Sequence, residues 1–288
     1  MIAIVDGGST KCDWVILDRK GEIVQRTTTT GFNPNIIQAE LISVELAKNP
    51  EIEHIKFKIS HLFFYGSGCG IDRNAAMVYQ EFQKFFSNAK VTVKEDMTAA
   101  AYAAYTGHPA IVCILGTGSN SCYFDGISIR RDLPSLGFLI GDEGSGSAFG
   151  KLLLKKFFMK KLPHDLEQEF VATYHLTIED ALKNMYHNPR ANAYLGEFNQ
   201  FISERKEHSY FQNLVFEEMK HFFEYQVLPY PEASIVEINF IGFVSYIYED
   251  IIRAAAADLN LKVGTVVKKP IESLVNYHVN YLLSDILD

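Results

Sequence analysis

A glycine turn near the N-terminus, Asp6-Gly7-Gly8-Ser9-Thr10-Lys11, constrains the fold more than any other feature of the sequence. It joins two apolar segments, residues 1–5 and 12–17, and a second turn at residues 18–21 leads into residues 22–27. This pattern predicts strands joined by tight turns. Glycine lets the backbone approach a ligand closely, and successive N–H groups in such a turn form a concave anion site. The turn therefore predicts phosphate binding by Gly7, Gly8, Ser9, Thr10 and Lys11, although a tight hairpin that binds nothing has the same pattern.

The same layout occurs again about a hundred residues further along the chain. An apolar segment, residues 111–115, leads into Gly116-Thr117-Gly118-Ser119-Asn120, and residues 121–124 precede another turn at Asp125-Gly126. Two such hairpins could face each other and hold one polyphosphate from both sides. Asp6, at the end of its predicted strand, is a candidate partner for a divalent cation bound to that phosphate. Neither hairpin is a P-loop, because the sequence contains no G-x-x-x-x-G-K-[ST] segment.

A third motif, Gly141-Asp142-Glu143-Gly144-Ser145-Gly146, follows the second hairpin. The two hairpins resemble the phosphate 1 and phosphate 2 hairpins of the superfamily of actin-like ATPases, heat-shock chaperones and sugar kinases. The third motif resembles the GDEGS signature of N-acetylglucosamine kinases and of the related BadF/BadG-type ATPases. The resemblance implies an α/β fold with two ribonuclease-H-like (actin-like ATPase) domains around a nucleotide and sugar cleft, the second domain carrying a helical insertion.

The predicted domain boundary lies at Gly107-His108-Pro109, which interrupts the chain before the second hairpin. The N-terminal domain is predicted to span residues 1–106, and the C-terminal helix at 270–288 is predicted to pack back onto it. The C-terminal domain is predicted to span residues 107–269, with the helical insertion at about 151–234.

The resemblance also implies roles for single residues. Asp96, between a predicted strand and an Ala-rich helix, matches the catalytic base that accepts the proton of the attacking sugar hydroxyl; capping that helix is its alternative role. Asn33 and Asp142 match residues that contact the sugar, and Asn33 has the alternative role of capping the next helix. That next helix is predicted to carry Ile37, Leu41 and Val44 on one face.

The remaining implied contacts concern the nucleotide. Residues of the second hairpin are expected to bind the ATP phosphates: Gly116, Thr117, Gly118 and Ser119. Thr117 is also expected to reach the sugar. Gly242-Phe243 resembles the adenosine motif, with Phe243 in the place of the usual second glycine. Asp6 is expected to hold Mg²⁺, through a water molecule.

The composition excludes several other classes of protein. The net charge of −8 argues against a nucleic acid or an anionic membrane as partner. The four cysteines show neither C-x-x-C nor zinc spacing, and we interpret them as reduced thiols of a cytoplasmic protein. No apolar segment reaches the ~20 residues needed to span a bilayer. The many Tyr and Phe residues of the insertion favour a homodimer interface, although they equally suit a core.

We interpret the chain as an ATP-dependent amino-sugar kinase that uses Mg²⁺, with N-acetylglucosamine as the first substrate to consider. The sequence reads Pro134-Ser135-Leu136-Gly137 where N-acetylglucosamine kinases usually carry Gly-Gly-Trp-Gly, so glucosamine, N-acetylmannosamine and muramyl sugars stay open. One alternative function is that of a BadF-type ATPase, which would couple hydrolysis to electron transfer through a cysteine-ligated cluster. Another is that of a non-catalytic sugar sensor. The sensor is disfavoured because such regulators usually carry a helix-turn-helix, whereas the first predicted strand begins at Met1.

Overall fold

Two five-stranded sheets organise the computed structural model, which describes residues 1–287. The chain divides into two units, one formed by residues 1–105 with the segment from Pro270 onward, and the other by residues 106–269. Each sheet mixes antiparallel and parallel strands. The predicted α/β class is therefore confirmed.

The sheet of the first unit has the strand order β3-β2-β1-β4-β5. Strands β1 (Ile2–Gly7), β2 (Lys11–Leu17) and β3 (Ile23–Thr30) form an antiparallel meander, as the two glycine turns predict. Strands β4 (His61–Gly66) and β5 (Lys90–Glu95) run parallel to β1. The carboxyl ends of β1, β4 and β5 therefore lie at one edge of the sheet, where ligands of open α/β sheets bind.

Three helices of the first unit pack on one face of this sheet. They are α1 (Ala39–Ala47), α2 (Pro50–Ile55) and α3 (Asp72–Phe85), around a core centred on Trp14 and Phe82. A fourth helix, α4 (Asp96–Ala103), follows β5 directly.

The face predicted for α1 is not the face that is buried. Its buried residues are Ile42 and Leu46, whereas Leu41 and Val44 are 44% and 50% exposed. The helix begins at Ala39, after a separate turn in which the carbonyl of Asn33 accepts the N–H groups of Ile36 and Ile37. Apolar residues occur on more than one side of this segment, so periodicity alone selected the wrong side.

The sheet of the second unit has the order β10-β9-β6-β7-β8. Strands β6 (Ala110–Leu115), β7 (Ser119–Phe124) and β8 (Ile129–Arg130) are antiparallel. Strand β9 (Glu237–Ile241) runs parallel to β6, and β10 (Val263–Val267) runs parallel to β9. This sheet therefore repeats the plan of the first: an antiparallel meander followed by parallel strands.

Helices fill the chain between β8 and β9. They are α5 (Gly137–Ile140), α6 (Gly146–Phe158), α7 (His164–Tyr174), α8 (Ile178–His187), α9 (Ala191–Glu197), α10 (Asn199–Ser203) and α11 (Ser209–Gln226). The apolar stripe of α11 is buried in the core of this unit, as its helical spacing predicts. Two more helices, α12 (Phe243–Ile247) and α13 (Glu249–Asp258), connect β9 to β10.

The C-terminal segment belongs to the first unit. Helix α14 (Ile271–Tyr277) packs against α4, where the rings of Tyr277 and Tyr102 stack with centroids 4.3 Å apart. A π-helical turn, His278–Leu282, follows. No helix within residues 1–287 is long and apolar enough to cross a membrane.

Candidate functional site

The first glycine turn is held tightly by its neighbours. The N–H of Gly8 donates to the carbonyl of Lys11 at 2.9 Å, and the N–H of Gly31 donates to the carbonyl of Thr10 at 2.9 Å. A Cβ at Gly31 would lie 2.4 Å from the carbonyl oxygen of Gly8, so the end of β3 can pack on the turn only as glycine. The Lys11 ammonium lies 2.7 Å from a carboxylate oxygen of Asp13 at the surface.

Asn33 fixes the same turn from outside. Its side-chain amide donates to Ser9 Oγ at 2.7 Å, and its Oδ1 accepts the N–H of Asn35 at 2.9 Å. The residue is 9% exposed. The alternative in which Asn33 caps α1 is wrong, because Gln38 is the residue that precedes that helix. Asn33 therefore links the loop after β3 to the predicted phosphate-binding turn.

Two carboxylates, Asp6 and Asp96, lie at the carboxyl ends of β1 and β5. Burial, followed by the charges of Asp96 and Asp13, raises the pKa of Asp6 to about 7, and Lys11 opposes this only in part. Asp96 is the first residue of α4, and its Oδ1 accepts the N–H of Met97 at 2.9 Å. Glu95 precedes α4 as its N-cap residue, so the alternative in which Asp96 is the N-cap is wrong, although the Asp96 side chain does accept a backbone N–H.

The resemblance implies a Mg²⁺ beside these carboxylates. Within residues 1–287 no three His, Cys, Asp or Glu side chains form a group that could hold a metal ion. Mg²⁺ commonly keeps several waters and takes one or two carboxylates together with phosphate oxygens. A buried acid such as Asp6 stays ionised more readily beside a cation. The residues present therefore fit a phosphate-bound Mg²⁺ that Asp6 contacts through water, and they do not form a protein-only metal cage.

The second glycine turn is anchored to the N-terminus of α6. The N–H of Gly116 donates to the carbonyl of Gly118 at 3.0 Å and closes the turn. The carbonyls of Gly116 and Thr117 accept the N–H groups of Gly146 and Ser147 at 2.8 and 3.0 Å. Backbone donors at the start of α6 are thereby satisfied by the turn itself.

Asp142 supports this second turn from the adjacent loop. Its Oδ1 accepts the N–H of Ser119 at 3.2 Å, and a Cβ at Gly118 would lie 2.9 Å from its Oδ2. Asp142 is buried with φ at +62°, and burial raises its pKa although the Ser119 N–H and Lys151 oppose the rise. A non-glycine residue in this left-handed conformation is uncommon, and such residues concentrate at functional sites.

One residue that contacts this loop from another helix was not predicted from the sequence. Glu218, on the buried side of α11, accepts the N–H of Gly144 through Oε1 at 3.0 Å. A signal was present, because Glu218 interrupts the apolar stripe between Val215 and Met219. A buried carboxylate on such a stripe needs a donor.

The predicted adenosine residues adjoin the second turn. Gly242, between β9 and α12, has φ of +128°, and a Cβ there would lie 2.2 Å from the carbonyl oxygen of Leu115. Phe243 is 54% exposed, and Lys268 Nζ lies 5.3 Å from its ring centroid and 4.8 Å from that of Tyr246. Gly242 therefore lies against Leu115, the residue before Gly116, and the exposed Phe243 follows Gly242 directly.

Each unit therefore brings its own predicted residues together. The first unit assembles Asp6, the first turn, Asn33 and Asp96. The second assembles the second turn, Asp142 and the Gly242-Phe243 pair.

The geometry defines a class of protein that the comparisons identify. The profile of the BadF/BadG/BcrA/BcrD ATPase family matches residues 5–205. The chain belongs to this family, as the motifs predict. Among proteins with curated functions, none matches the chain.

Solved structures place the chain more closely. A candidate N-acetylglucosamine kinase from Porphyromonas gingivalis is 33% identical, with a TM-score of 0.91 over 98% of this chain and 99% of that one. A candidate N-acetylglucosamine kinase from Chromobacterium violaceum is 14% identical, with a TM-score of 0.67 over 96% and 99%. A ROK-family glucokinase from Streptomyces griseus, in complex with glucose and AMPPNP, is 17% identical, with a TM-score of 0.56 over 96% and 97%. The last two share the fold, which confirms the predicted two-domain architecture. The predicted ATP-dependent enzyme agrees with these relatives.

Proposed function

We propose that this protein is an ATP-dependent amino-sugar kinase, which transfers the γ-phosphoryl group of ATP to a sugar hydroxyl, with N-acetylglucosamine as the expected acceptor. The observation that carries the proposal is the pair of carboxylates, Asp6 and Asp96, at one sheet edge beside the first glycine turn. The 33% identity to a candidate N-acetylglucosamine kinase over nearly the whole chain supports the choice of acceptor.

The two carboxylates are proposed to have different tasks. Asp96 accepts the proton of the attacking hydroxyl, as a general base at a strand end would. Asp6 orients a Mg²⁺ through water. Mg²⁺ bound to the phosphates would neutralise the charge that develops during transfer. Phosphoryl transfer depends mainly on such positioning and electrostatic stabilisation.

The phosphates are proposed to contact both turns. In the first unit the contacting residues are Gly7, Gly8, Ser9, Thr10 and Lys11, and in the second they are Gly116, Thr117, Gly118 and Ser119. Adenosine is proposed to lie against Gly242 and Phe243, since exposed aromatic faces stack with bases. Asn33, Thr117 and Asp142 are proposed to contact the sugar. The bonds from Asn33 to Ser9 and from Asp142 to Ser119 support an added role in positioning the turns.

The acceptor's substituent is proposed to contact the segment before the third motif. Leu136 is 54% exposed there, and Leu139 and Ile140 of α5 are 77% and 74% exposed. Exposed apolar groups of this kind suit an acyl group better than a free amine. This supports N-acetylglucosamine or N-acetylmannosamine over glucosamine, with a muramyl sugar as a further acceptor. A homodimer in the cytoplasm remains the predicted setting.

The cluster-dependent ATPase is the weaker proposal. All four cysteines, at positions 12, 69, 113 and 122, are buried. Burial raises the pKa of Cys12 and of Cys69 to about 12 and raises that of Cys113 as well. Thiolates are the form that ligates iron, so these positions do not favour a cluster.

An ADP-release assay with Mg·ATP tests the proposal against N-acetylglucosamine, N-acetylmannosamine, glucosamine, glucose, N-acetylmuramic acid and no sugar. We expect release to depend on one amino sugar. Asp96→Asn should lower that turnover by at least about 100-fold, the usual contribution of a general base, while ATP affinity stays within a few-fold. The exposed Asp72→Asn serves as the matched control. ADP release that ignores every sugar would refute the kinase and favour the ATPase.

A further inference from the structure

The first unit contains a cavity that is distinct from the sheet edge that carries Asp6 and Asp96. Its volume is about 210 Å³, and it lies on β4 and β5 beneath the C-terminal segment. Phe63 and Tyr65 of β4 lie opposite Thr92 and Lys94 of β5, and alternate residues of a strand share one face. Leu282 and Ile286 line the cavity from the C-terminal segment. The space is therefore larger than a single water molecule needs.

The cavity combines apolar walls with positive charge. Lys90 and Lys94 both line it, and neither has an acidic partner within residues 1–287. The Lys94 ammonium lies 3.3 Å from the hydroxyl of Tyr102 instead. Burial, and then Lys90, lowers the pKa of His61, which also lines the cavity. Among residues 1–287, the two ammonium groups therefore form no ion pair beside this aromatic and aliphatic surface.

Strand β5 is an edge strand, and lysines on edge strands often serve only to prevent pairing with other chains. Lys90 and Lys94 are both exposed, so this protective role is the alternative that the experiment below must exclude. The same face also carries a cavity, which Leu282 and Ile286 line from the C-terminal segment. The enclosing segment is fixed from below, since Tyr65 Oη lies 2.8 Å from Nε2 of the buried His278, in the π-helical turn. π-helical turns occur frequently at functional sites.

We propose that this cavity binds a small organic anion with an apolar body, namely a carboxylate or phosphate monoester that carries an aromatic or branched aliphatic group. The ammonium groups of Lys90 and Lys94 bind the anionic group, and Phe63, Leu282 and Ile286 cover the body. A compact ammonium suits either anion, because it acts as a point charge with rotatable donors.

The cavity is connected to α4 by direct contacts. Lys94 precedes Asp96 by two residues and contacts Tyr102, and Tyr102 stacks on Tyr277. A ligand that holds Lys94 thereby also restrains the helix that begins at Asp96. This makes the cavity a regulatory site for the proposed kinase, a consequence that rests on the proposed function, whereas anion binding itself does not.

Calorimetric titration of the full chain with phenyl phosphate and with benzoate tests the binding. Inorganic phosphate supplies the charge alone, and benzyl alcohol supplies the ring alone. We expect phenyl phosphate or benzoate to bind at least tenfold more tightly than both partial probes. The double variant Lys90→Gln/Lys94→Gln should weaken that binding at least tenfold. The double variant Lys155→Gln/Lys183→Gln, which removes two exposed charges from the other unit, should leave it unchanged.

A second variant keeps both charges. Leu282→Ser changes a wall residue that is 37% exposed, so the fold should tolerate it, and the affinity for phenyl phosphate should fall severalfold. Amide hydrogen exchange across Asp96–Ala103 should slow when the probe binds. Binding that is equal in the wild type and the Lys90/Lys94 variant would overturn the proposal and leave those lysines a protective role at the sheet edge. Exchange that is unchanged in α4 at saturation would overturn the regulatory consequence alone.

Discussion

Asp6→Asn should make the ligand-free protein more stable at neutral and alkaline pH. Burial and the adjacent Asp96 raise the pKa of Asp6 from 3.8 to about 7. The folded protein therefore binds this proton more tightly than the unfolded chain does. Stability is full at low pH and is lost as pH rises from about 4 through 7, because ionisation of Asp6 opposes folding. The asparagine variant has no such ionisation and escapes the loss.

The size of the effect follows from the two pKa values. Between pH 5 and pH 8 the folded carboxyl releases its proton, whereas the unfolded one is already ionised at pH 5. With 1.36 kcal/mol for each pKa unit, the advantage of Asp6→Asn over the wild type should grow by roughly 2–3 kcal/mol across this interval. At pH 5 the unfolded wild type is already ionised, so the variant should already be more stable by roughly 1–2 kcal/mol, and the two proteins should converge only below about pH 4.

Urea denaturation of both proteins in EDTA, at half-unit steps from pH 5 to pH 8, measures this growth. Asp72→Asn makes the same chemical change at an exposed site and serves as the matched control. Mg·ATP should stabilise the wild type at pH 8 more than it stabilises Asp6→Asn, because only the wild type retains the proposed partner for the cation. A stability difference that is constant from pH 5 to pH 8 would refute the reasoning, since it would mean that Asp6 ionises as freely in the folded protein as in the unfolded chain.

Three further predictions concern packing and positioning. Gly242→Ala places a Cβ 2.2 Å from a backbone carbonyl oxygen and should lower the free energy of unfolding in urea by about 2–3 kcal/mol. Gly107→Ala is the control, because Gly107 has φ of +91° but open space around it, and it should lower that free energy by only about 1 kcal/mol. Equal losses would show that backbone conformation alone matters. Tyr65→Phe leaves a buried histidine nitrogen unpaired and should cost about 1–3 kcal/mol; a neutral effect would mean that water replaces the hydroxyl. Asp142→Ala removes the acceptor of the Ser119 N–H and should raise the KM for ATP about tenfold, and Asp142→Asn should have an intermediate effect. A change confined to the KM for the sugar would indicate that Asp142 contacts the sugar alone.

Local chemistry explains why much of the fold could be predicted. The two glycine turns lie between apolar segments with strand character, and glycine alone permits contacts such as that of Gly31 with Gly8. The stripe of α11 repeats at helical spacing, so its burial was also predictable. The side of α1 was not, because its apolar residues lie on more than one face and only packing in the core with residues of α3 such as Phe82 selects Ile42 and Leu46.

The long-range contacts that hold the candidate site and its surroundings could not be predicted either, for a different reason. Glu218 reaches the third motif from 74 residues away in sequence, and His278 reaches Tyr65 from 213 residues away. No periodicity or spacing connects such pairs. A single sequence indicates only that a buried carboxylate or imidazole needs a partner, and the tertiary structure decides which partner it finds.

The two units use one device to hold their glycine turns. In the first, the loop after the meander sends Asn33 to Ser9; in the second, the corresponding loop sends Asp142 to Ser119. In both, glycine permits the close approach, at Gly31 and at Gly118.

Asn33 and Asp142 were predicted as sugar contacts because the residues they match contact the sugar in the resembling family. Their hydrogen bonds give a further reason for these residue types. A turn that binds phosphate through its backbone must be rigid before the ligand arrives, because ordering it afterwards would consume binding energy. A buried amide or carboxylate that receives or supplies a hydrogen bond within the turn provides that rigidity. The same side chain can then face the acceptor only through the atoms that the turn leaves unused.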